Sequence, residues 1–258
     1  MTASWLPSPL RSFLHQVGSY AWFVVDFARA TARYGPPPGQ VMEEAWRIGI
    51  KSLPILLVIS AFVGTNIALQ GYNAFRPLGG GRLVGMFVSL AGVRELAPII
   101  AAAMVAAKAG TEMASQIGVM RIREQIDALE VMAVNPYAFL VAPRLFGITL
   151  VLPALTLISI FMMLASGYLV SVHQLGLNGS VFLEFATQGI AAVDFLYGML
   201  KAVYFGLVIC TVSCFFGFTC ARGPEGVGEA TNRAVVVSAV VCVCSNYFIS
   251  EILYGRLP

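Results

Sequence analysis

Five long apolar blocks constrain the fold of this 258-residue chain more than any other feature. They cover about residues 53–74, 83–114, 143–170, 195–219 and 234–253. Each block is long enough to cross a bilayer as a helix, which takes about 20 predominantly apolar residues. The chain is 58% apolar and only 11% charged, whereas a soluble domain carries about 25% charged residues. We therefore predict an all-α integral membrane protein with about five transmembrane helices.

The segment before the first block predicts an amphipathic helix over residues 8–34. Apolar residues recur there at the spacing of one helical face: Leu10, Phe13, Leu14, Val17, Ala21, Val24 and Ala28. Tyr20, Trp22, Arg29 and Arg33 are typical of a helix that lies in the membrane interface. An ordinary helix packed against the rest of the protein is the alternative interpretation.

A proline-rich break separates that helix from the first span. The sequence YGPPPG, Tyr34–Gly39, contains three prolines and cannot continue a helix. A short segment that carries Arg47 and Lys51 follows it. We expect residues 1–52 to form interfacial and elbow helices, and residues 53–258 to form the transmembrane domain.

The later connections are predicted from their polar composition. Residues 76–82 are predicted to form a loop, and residues 171–194 form a polar region between the third and fourth spans. Residues 220–233 are rich in glycine and polar side chains, and we predict a loop there as well. Within the second span, Ala102, Ala106 and Gly110 recur at four-residue spacing, which favours close contact with another helix.

Lysine and arginine are unevenly divided between the two sides of the predicted spans. One side has Arg29, Arg33, Arg47, Lys51, Arg121, Arg123, Arg144, Arg222 and Arg233. The other side has Arg76, Arg82 and Arg256, with Lys201 near a span end. Because cytoplasmic loops carry the excess of basic residues, we predict a cytoplasmic N-terminus and a C-terminus on the opposite side.

The stretch Gly118–Pro136 is highly charged although it lies between two apolar blocks. We predict a cytoplasmic amphipathic helix over about residues 119–134, ended by Asn135–Pro136 because the residue before a proline disfavours helix. Its apolar face is predicted from Ile122, Ile126, Leu129 and Met132 or Ala133. The helix is either a solvated connector or a docking helix that fits a groove on a cytoplasmic partner.

Three ionisable residues lie inside predicted spans and are candidate site residues, because a charge in lipid is costly. Arg94 and Glu95 belong to the second span, and Lys201 belongs to the fourth. By helical rise, Arg94 and Glu95 should lie between the outer interface and the midplane of the bilayer. A structural ion pair between helices is the alternative to a ligand site.

The sequence offers no catalytic residue and no metal ligand set. It lacks G-x-x-x-x-G-K-[ST], G-x-S-x-G and H-E-x-x-H. A Ser-Lys pair is conceivable, but no spacing supports one. The two histidines lie far apart, and the five cysteines fall in or beside apolar blocks, where cysteine acts as a small apolar side chain. The net charge of +3 is too small to indicate nucleic acid. An intramembrane enzyme or a passive scaffold is therefore less favoured than a transport protein.

Two long stretches resemble a known family. ELAPIIAAAMVAAKAGTEMASQIGVMRIREQIDALEVMAVNPYAFLVAPR, Glu95–Arg144, closely resembles the MlaE/YrbE permeases, and GPEGVGEATNRAVVVS, Gly223–Ser238, is similar to the loop before their last span. The likeness runs in order from about residue 45 onward. One departure is the uncharged Asn246 in the last span, where some relatives are expected to carry an acid.

The resemblance implies the membrane subunit of an ATP-driven lipid transporter in the bacterial inner membrane. It implies a homodimer, a cytoplasmic ABC ATPase that binds ATP and Mg, a periplasmic hexamer of MCE-domain proteins, and a phospholipid as cargo. This chain itself is expected to hold no cofactor. The charged stretch is then the coupling helix, whose ATPase-facing residues are expected to be Arg121, Arg123, Glu124, Gln125, Asp127 and Glu130. Arg94, Glu95 and Lys201 are then expected to line a cavity at the dimer interface and to bind a lipid head group.

Overall fold

The computed structural model describes residues 8–255, with the side chains of residues 8–13, 34 and 78 left undescribed. Leu10, Phe13 and Arg256 therefore lie outside the described side chains. Ten α-helices follow one another through the described part, and it contains no strand. They are α1 Ser8–Tyr34, α2 Pro38–Phe75, α3 Val84–Ala91, α4 Ala97–Val105, α5 Thr111–Ile122, α6 Gln125–Val131, α7 Ala142–His173, α8 Gly179–Gln188, α9 Ala192–Phe218 and α10 Pro224–Tyr254. The predicted all-α fold is confirmed.

Five helical segments are long and apolar enough to cross a membrane, as predicted. They are Pro38–Phe75, Gly81–Ile122, Tyr137–His173, Ala192–Phe218 and Pro224–Tyr254. Most of these segments extend well beyond the predicted apolar blocks, because the polar residues that flank each block are also helical.

The short segment expected before the first span is continuous with that span in one helix. Helix α2 runs without interruption over 38 residues and through Pro54, which gives a length of about 57 Å. The apolar core of a bilayer is only about 30 Å thick. The first turns of α2, which carry Arg47 and Lys51, therefore extend the first span, and the proposed boundary at residue 52 falls inside this helix.

The second span is a segmented rod. Its helices α3, α4 and α5 are joined by two wider, π-helical turns, Gly92–Leu96 and Ala106–Gly110. A third π-helical turn, Tyr137–Val141, precedes α7. Such turns insert an extra residue into a helix and are frequent at functional sites.

Two predicted connections contain more helix than expected. The predicted loop over 220–233 is wrong, because α10 begins at Pro224. Proline suits the first position of a helix, and an acid such as Glu225 suits the first turn. The polar region 171–194 contains α8, whose first turn is capped by Asn178: its Oδ1 accepts a hydrogen bond of 3.0 Å from the Ser180 backbone N–H.

Helix α9 lies at the centre of the bundle and packs against α4, α5, α7 and α10. The predicted small-residue contact of the second span is confirmed: Ala102 and Ala106 are buried, and a Cβ at Gly110 would lie 2.9 Å from the Ser213 Oγ of α9. Of the five cysteines, three are buried as expected, Cys220 is half-buried, and Cys244 is exposed.

Helices α2 and α7 form a close pair. A Cβ at Gly64 of α2 would collide with the Met163 carbonyl oxygen of α7. One turn earlier, the buried hydroxyls of Ser60 and Ser159 share a hydrogen bond of 2.7 Å. Small residues and interhelical hydrogen bonds are the usual means by which membrane helices associate.

Helix α1 has two apolar faces. Phe23, Phe27 and Ala30 are buried, and the Tyr20 hydroxyl is 2.7 Å from the Thr211 Oγ1 of α9. The face predicted from the sequence is the neighbouring one, where Val17 and Leu14 stay about half exposed. The helix thus packs on the bundle, as in the alternative interpretation, and still presents an apolar surface. Its place in the membrane interface stays a prediction.

The bundle has two ends, which we name by the short helix at each. At the α6 end, the Cys220 Sγ lies 3.7 Å from the Gly118 carbonyl oxygen, joining the ends of α5 and α9. At the α8 end, the rings of Tyr197 and Tyr254 meet edge to face at 5.5 Å, joining the start of α9 to the end of α10. The alternation of five spans between these ends agrees with the predicted order of loops.

Candidate functional site

Three helical segments bring a group of charged and polar side chains together inside the bundle. We call this group the charged cluster: Arg94, Glu95, Asp194, Lys201, Asn246 and Ser250. The first two belong to the π-helical turn of the second span, the next two to α9, and the last two to α10. The structure therefore brings together all three residues predicted for a ligand site.

Lys201 is the centre of the charged cluster and is fully buried. Its Nζ donates to the Arg94 carbonyl oxygen at 2.8 Å, to the Ser250 Oγ at 2.7 Å and to the Glu95 Oε1 at 3.2 Å. An ammonium group has three hydrogens to donate. All three are committed in this conformation, so Lys201 has none left for a ligand.

Pro98 explains why the Arg94 carbonyl oxygen accepts a hydrogen bond from Lys201. In an α-helix that carbonyl would accept the backbone N–H of residue 98. Proline has no N–H, and the backbone N–H just before it, that of Ala97, bonds to the Gly92 carbonyl oxygen across the π-helical turn. The lysine ammonium thus takes the place of the missing backbone donor.

Arg94 forms an ion pair with Asp194 at the start of α9. The Arg94 Nε lies 3.0 Å from the Asp194 Oδ1, and its Nη2 donates to Oδ2 at 3.2 Å. Asp194 is buried, and its Oδ2 also accepts a hydrogen bond of 2.9 Å from the Ala191 backbone N–H. A carboxylate in the first turn of a helix is favoured by the helix dipole. Asp194 therefore stabilises the first turn of α9 and orients the guanidinium group of Arg94.

Glu95 is held from the other side by α10. Its Oε2 accepts hydrogen bonds from the Asn246 Nδ2 at 2.8 Å and from the Ser250 Oγ at 3.1 Å. Its side chain is nevertheless 40% exposed, and that of Arg94 is 33% exposed, whereas Lys201 is 0% exposed. Arg94 and Glu95 are therefore the residues that present charge to the surroundings.

The charged cluster lies toward the α8 end of the bundle. Lys201 is about nine residues into α9, or about 14 Å along its axis. Asn246 is about eight residues, or about 12 Å, from the end of α10. A bilayer core is about 30 Å thick, so we expect a cluster at this distance from the helix ends to lie within the part of the helices that a bilayer covers, where unpaired charges are costly.

At the α6 end, the predicted helix over 119–134 is divided in two. Helix α5 ends at Ile122, Glu124 takes a left-handed conformation with φ 56°, and α6 covers only Gln125–Val131. A residue without glycine's freedom rarely adopts this conformation. Because Glu124 turns the chain, α6 is a short helix separate from α5.

The two faces of α6 agree in part with the prediction. Ile126 is buried, and Ile122 and Leu129 are half-buried, as expected for the face on the bundle. Met132 and Ala133, which were predicted for the same face, are exposed instead, because the helix ends at Val131 and the chain turns at Ala133, with φ 58°. All six residues predicted to face a partner are exposed: Arg121, Arg123, Glu124, Gln125, Asp127 and Glu130.

A second polar group joins the start of α2 to α5 and α7 beside the α6 end. We call it the elbow network: Glu44, Arg47, Lys51, Glu112, Gln116 and Arg144. The Lys51 Nζ lies 2.8 Å from the Glu112 Oε1, and the Arg144 Nη2 donates to the Gln116 Oε1 at 3.0 Å. Arg144 is buried, so removing one of its partners would leave a buried charge unpaired, which is costly. The Lys51–Glu112 pair is partly exposed, and exposed ion pairs are worth only about 0–1 kcal/mol.

Sequence reasoning missed Asp194, Ser250 and the elbow network as functional candidates. Asp194 was visible only as the end of a polar region, although an acid directly before an apolar run is a helix-start signal. Ser250 and Gln116 are ordinary helical residues in the sequence. Their roles depend on contacts between distant segments, which the pattern along one segment does not contain.

Comparison with known proteins adds to this geometry. The sequence model of the family described as Permease MlaE matches residues 41–252, which is most of the chain. This chain belongs to the MlaE permease family.

Several named proteins are similar to this MlaE-family chain. The Rickettsia typhi Probable ABC transporter permease protein is 34% identical over 244 residues, covering 94% of this chain and 93% of that protein. The Haemophilus influenzae Intermembrane phospholipid transport system permease protein MlaE is 30% identical over 247 residues, covering 90% and 95%. The Arabidopsis thaliana chloroplastic protein TRIGALACTOSYLDIACYLGLYCEROL 1 is 34% identical over 213 residues, covering 83% of this chain and 61% of that protein.

The chain is thus an MlaE-family permease of the ABC-transporter type, with five apolar helices that can span a membrane. Both the charged cluster and α6 lie within the part of the chain that matches the family. The predicted resemblance is confirmed.

In this MlaE-family permease, replacing Lys201 should destabilise the bundle. Lys201→Met leaves the Glu95 Oε1 and the Arg94 carbonyl oxygen without the donor that they share, and breaking a buried pair costs about 3–5 kcal/mol. We expect the lower end of that range, because Glu95 is partly exposed. The change is measured as a lower midpoint of thermal unfolding in detergent.

The double variant Lys201→Met with Glu95→Gln provides the control. It removes the unpaired charge, so it should recover part of the lost stability, and the two changes should not be additive. Additive effects would show that Lys201 and Glu95 do not depend on each other for stability.

Proposed function

We propose that this chain is the membrane-spanning subunit of an ATP-driven phospholipid transporter in a bacterial inner membrane. It acts as a homodimer with cytoplasmic ABC ATPase subunits, which bind ATP and Mg, and with a periplasmic hexamer of MCE-domain proteins. Names of similar proteins support the assignment, since one is an ABC transporter permease and another an intermembrane phospholipid transport permease. The chain lacks a phosphate-binding P-loop, so hydrolysis of ATP falls to the partner.

The charged cluster is the observation that carries this proposal. A phospholipid combines apolar chains with a charged phosphate group, and a site for it needs polar groups embedded in an apolar surface. Arg94 is partly exposed within apolar spans, and its guanidinium group is suited to bind phosphate oxygens. Asp194 and Lys201 hold Arg94 in position. Glu95 lies beside Arg94, where its carboxylate would bind a basic head group or balance the positive charge of Arg94.

The dimer is supported by the surface of α10. This helix is the least buried of the five spans. Its exposed face is a long apolar stripe that includes Val236, Val240, Val243 and Tyr247. A second copy of the chain would cover part of this stripe and place the two charged clusters near the same interface.

Transport by the reconstituted complex tests the lipid assignment. The permease and its ATPase, in vesicles that contain labelled phospholipid, should move the label in an ATP-dependent way. Arg94→Ala and Glu95→Ala should each lower the rate and the amount of phospholipid recovered by photo-crosslinking, because each removes exposed charge at the site. Lys201→Ala should do so indirectly, by releasing Glu95.

Normal transport and normal lipid capture in all three variants would show that the charged cluster is not the lipid site. Loss of the dimer in these variants, with lipid capture otherwise unchanged per dimer, would indicate a structural role for the same ion pairs.

The α6 end has the features of a docking surface for the ATPase. Helix α6 exposes charged residues on its outer side, and at its end Val131 and Met132 are 87% and 63% exposed. Large apolar side chains at an exposed helix end, flanked by charges, suit insertion into a groove on a partner. A cavity of about 300 Å³ lies between α6 and the turn before α10, lined by Glu124, Asp127 and Arg222 among others.

Reversing two charges on α6 should weaken ATPase binding. The double change Glu124→Lys with Asp127→Lys should cost about 2–5 kcal/mol if both residues become buried in the contact. The yield of ATPase that co-purifies with the permease measures the effect. The matched control is Glu184→Lys with Glu251→Lys, which makes the same charge change with exposed residues at the α8 end.

The control variant should retain the ATPase at the level of the unmodified protein. Equal retention of the ATPase and equal transport in both double variants would contradict docking through this face of α6.

We further propose that the α6 end faces the cytoplasm and the α8 end faces the periplasm, which leaves the N-terminus inside and the C-terminus outside. The support is the distribution of lysine and arginine, since the basic side includes Arg121, Arg123 and Arg222 at the α6 end.

Labelling of single cysteines tests this orientation. In a cysteine-free background, Gln188→Cys in α8 should react with a membrane-impermeant maleimide while the inner membrane is intact. Glu225→Cys at the start of α10 should react only after that membrane is permeabilised. Both positions are exposed, so a difference in labelling reports the side of the membrane. The reverse pattern would invert the topology.

A further inference from the structure

Tyr254, the last residue of α10, covers the charged cluster. The centre of its ring lies 4.9 Å from the guanidinium carbon of Arg94 and 5.2 Å from the Nζ of Lys201. The ring of Tyr197 meets it edge to face at 5.5 Å. One aromatic face thus contacts both cations of the cluster from the α8 end.

The hydroxyl of Tyr254 is at odds with a purely structural role for the residue. It is buried and has no hydrogen-bond partner among the described residues. A buried polar group without a partner destabilises the folded state, and such groups in native structures call for an explanation. The covered conformation is therefore stabilised by the ring and destabilised by the hydroxyl.

In the described part of the chain, the last turn of α10 is mostly exposed. Ser250 bonds to Glu95 and Lys201, but beyond it Glu251 and Ile252 are exposed, and the Gly255 N–H bonds within the turn, to the Glu251 carbonyl oxygen. In this turn, Tyr254 is the side chain that reaches the charged cluster. A movement of this one turn would uncover Arg94 without disturbing the contacts of Ser250.

We propose that Tyr254 is a lid over the lipid head-group site. In the conformation described here its ring covers Arg94 and Lys201. When the last turn of α10 moves away, the guanidinium group of Arg94 becomes available to the phosphate of a phospholipid and the Tyr254 hydroxyl becomes hydrated. The proposal rests on the assignment of the charged cluster as a lipid site, and it adds a residue that controls access to that site.

The lid proposal predicts opposite effects on lipid capture for two substitutions of Tyr254. Tyr254→Leu removes the aromatic face and its attraction to two cations, so the covered form loses stability and lipid capture should rise about fivefold or more. Tyr254→Phe keeps the ring and removes the unpartnered hydroxyl. It should favour the covered form and leave lipid capture at or below the level of the unmodified protein.

The measurement is photo-crosslinking of phospholipid in the permease–ATPase complex, with the crosslinking amino acid at Leu196 or Leu200. Both are about half exposed on α9, beside the face that carries Tyr197 and Lys201. Tyr72→Leu is the matched control, because the Tyr72 ring also contacts a guanidinium group, that of Arg76 at 5.7 Å, but lies on α2 and outside the charged cluster. This control should not raise lipid capture.

A combined variant links the lid to Arg94. Adding Arg94→Gln to Tyr254→Leu should abolish the gain in lipid capture, because the group that the lid uncovers is then absent. A gain that persists would overturn the proposal, since the ring would then be covering something else.

The results of these experiments distinguish a failure of the lid proposal from a failure of the proposed transport function. If the complex moves phospholipid and Tyr254→Leu captures no more lipid than the unmodified protein, the lid is wrong and the transport assignment stands. A fall in lipid capture in Tyr254→Leu, restored by Tyr254→Phe, would also overturn the lid, because the ring would then be positioning Arg94 for binding. A complex that neither captures nor moves phospholipid contradicts the proposed function and the lid together.

Discussion

One buried ammonium group, that of Lys201, holds the three helical segments of the charged cluster in their arrangement. Its hydrogen bonds reach the backbone of the second span, the carboxylate of Glu95 and the hydroxyl of Ser250. A lysine buried without partners would lose its proton or destabilise the fold. Here the acceptors are supplied partly by backbone geometry, since Pro98 leaves the Arg94 carbonyl without its usual donor. The site therefore depends on a proline and a widened helical turn as much as on its charges.

The second span links both polar groups of the molecule. Its first π-helical turn carries Arg94 and Glu95, and Glu112 of the elbow network lies just beyond its second, Ala106–Gly110. Between them α4 is short, and its buried alanines pack against α9 and α7. Because a π-helical turn holds one residue more than an α-helical turn, its conversion would rotate the segment that follows it. The elbow network and the charged cluster are thus joined by one span that contains two π-helical turns.

The sequence was sufficient to predict the spans and to single out three residues that meet in the charged cluster. It was not sufficient to predict which residues contact them. Long apolar blocks and buried charges are local signals, and Arg94, Glu95 and Lys201 were found from them. The loop predicted over 220–233 was wrong because proline and glycine signal helix starts as well as loops. The division of the 119–134 helix at Glu124 was also missed, since a left-handed glutamate has no distinctive signature. Asp194 and Ser250 gain their roles only from tertiary contacts, which a single sequence does not display.

The unbroken length of α2 has a mechanical consequence. The helix is about 57 Å long, with Glu44, Arg47 and Lys51 of the elbow network near one end and Phe75 at the other. Its close contact with α7 at Gly64 lies nearer the far end and can serve as a fulcrum. For a rigid rod of this length, a tilt of about 5° displaces one end by about 5 Å relative to the other. The Gly64 contact is about 39 Å from Pro38 and about 17 Å from Phe75. About this contact, the same tilt moves the elbow end by about 3 Å and the Phe75 end by about 1.5 Å in the opposite direction. A movement at the elbow network therefore reaches the α8 end of this helix reversed and reduced by about half.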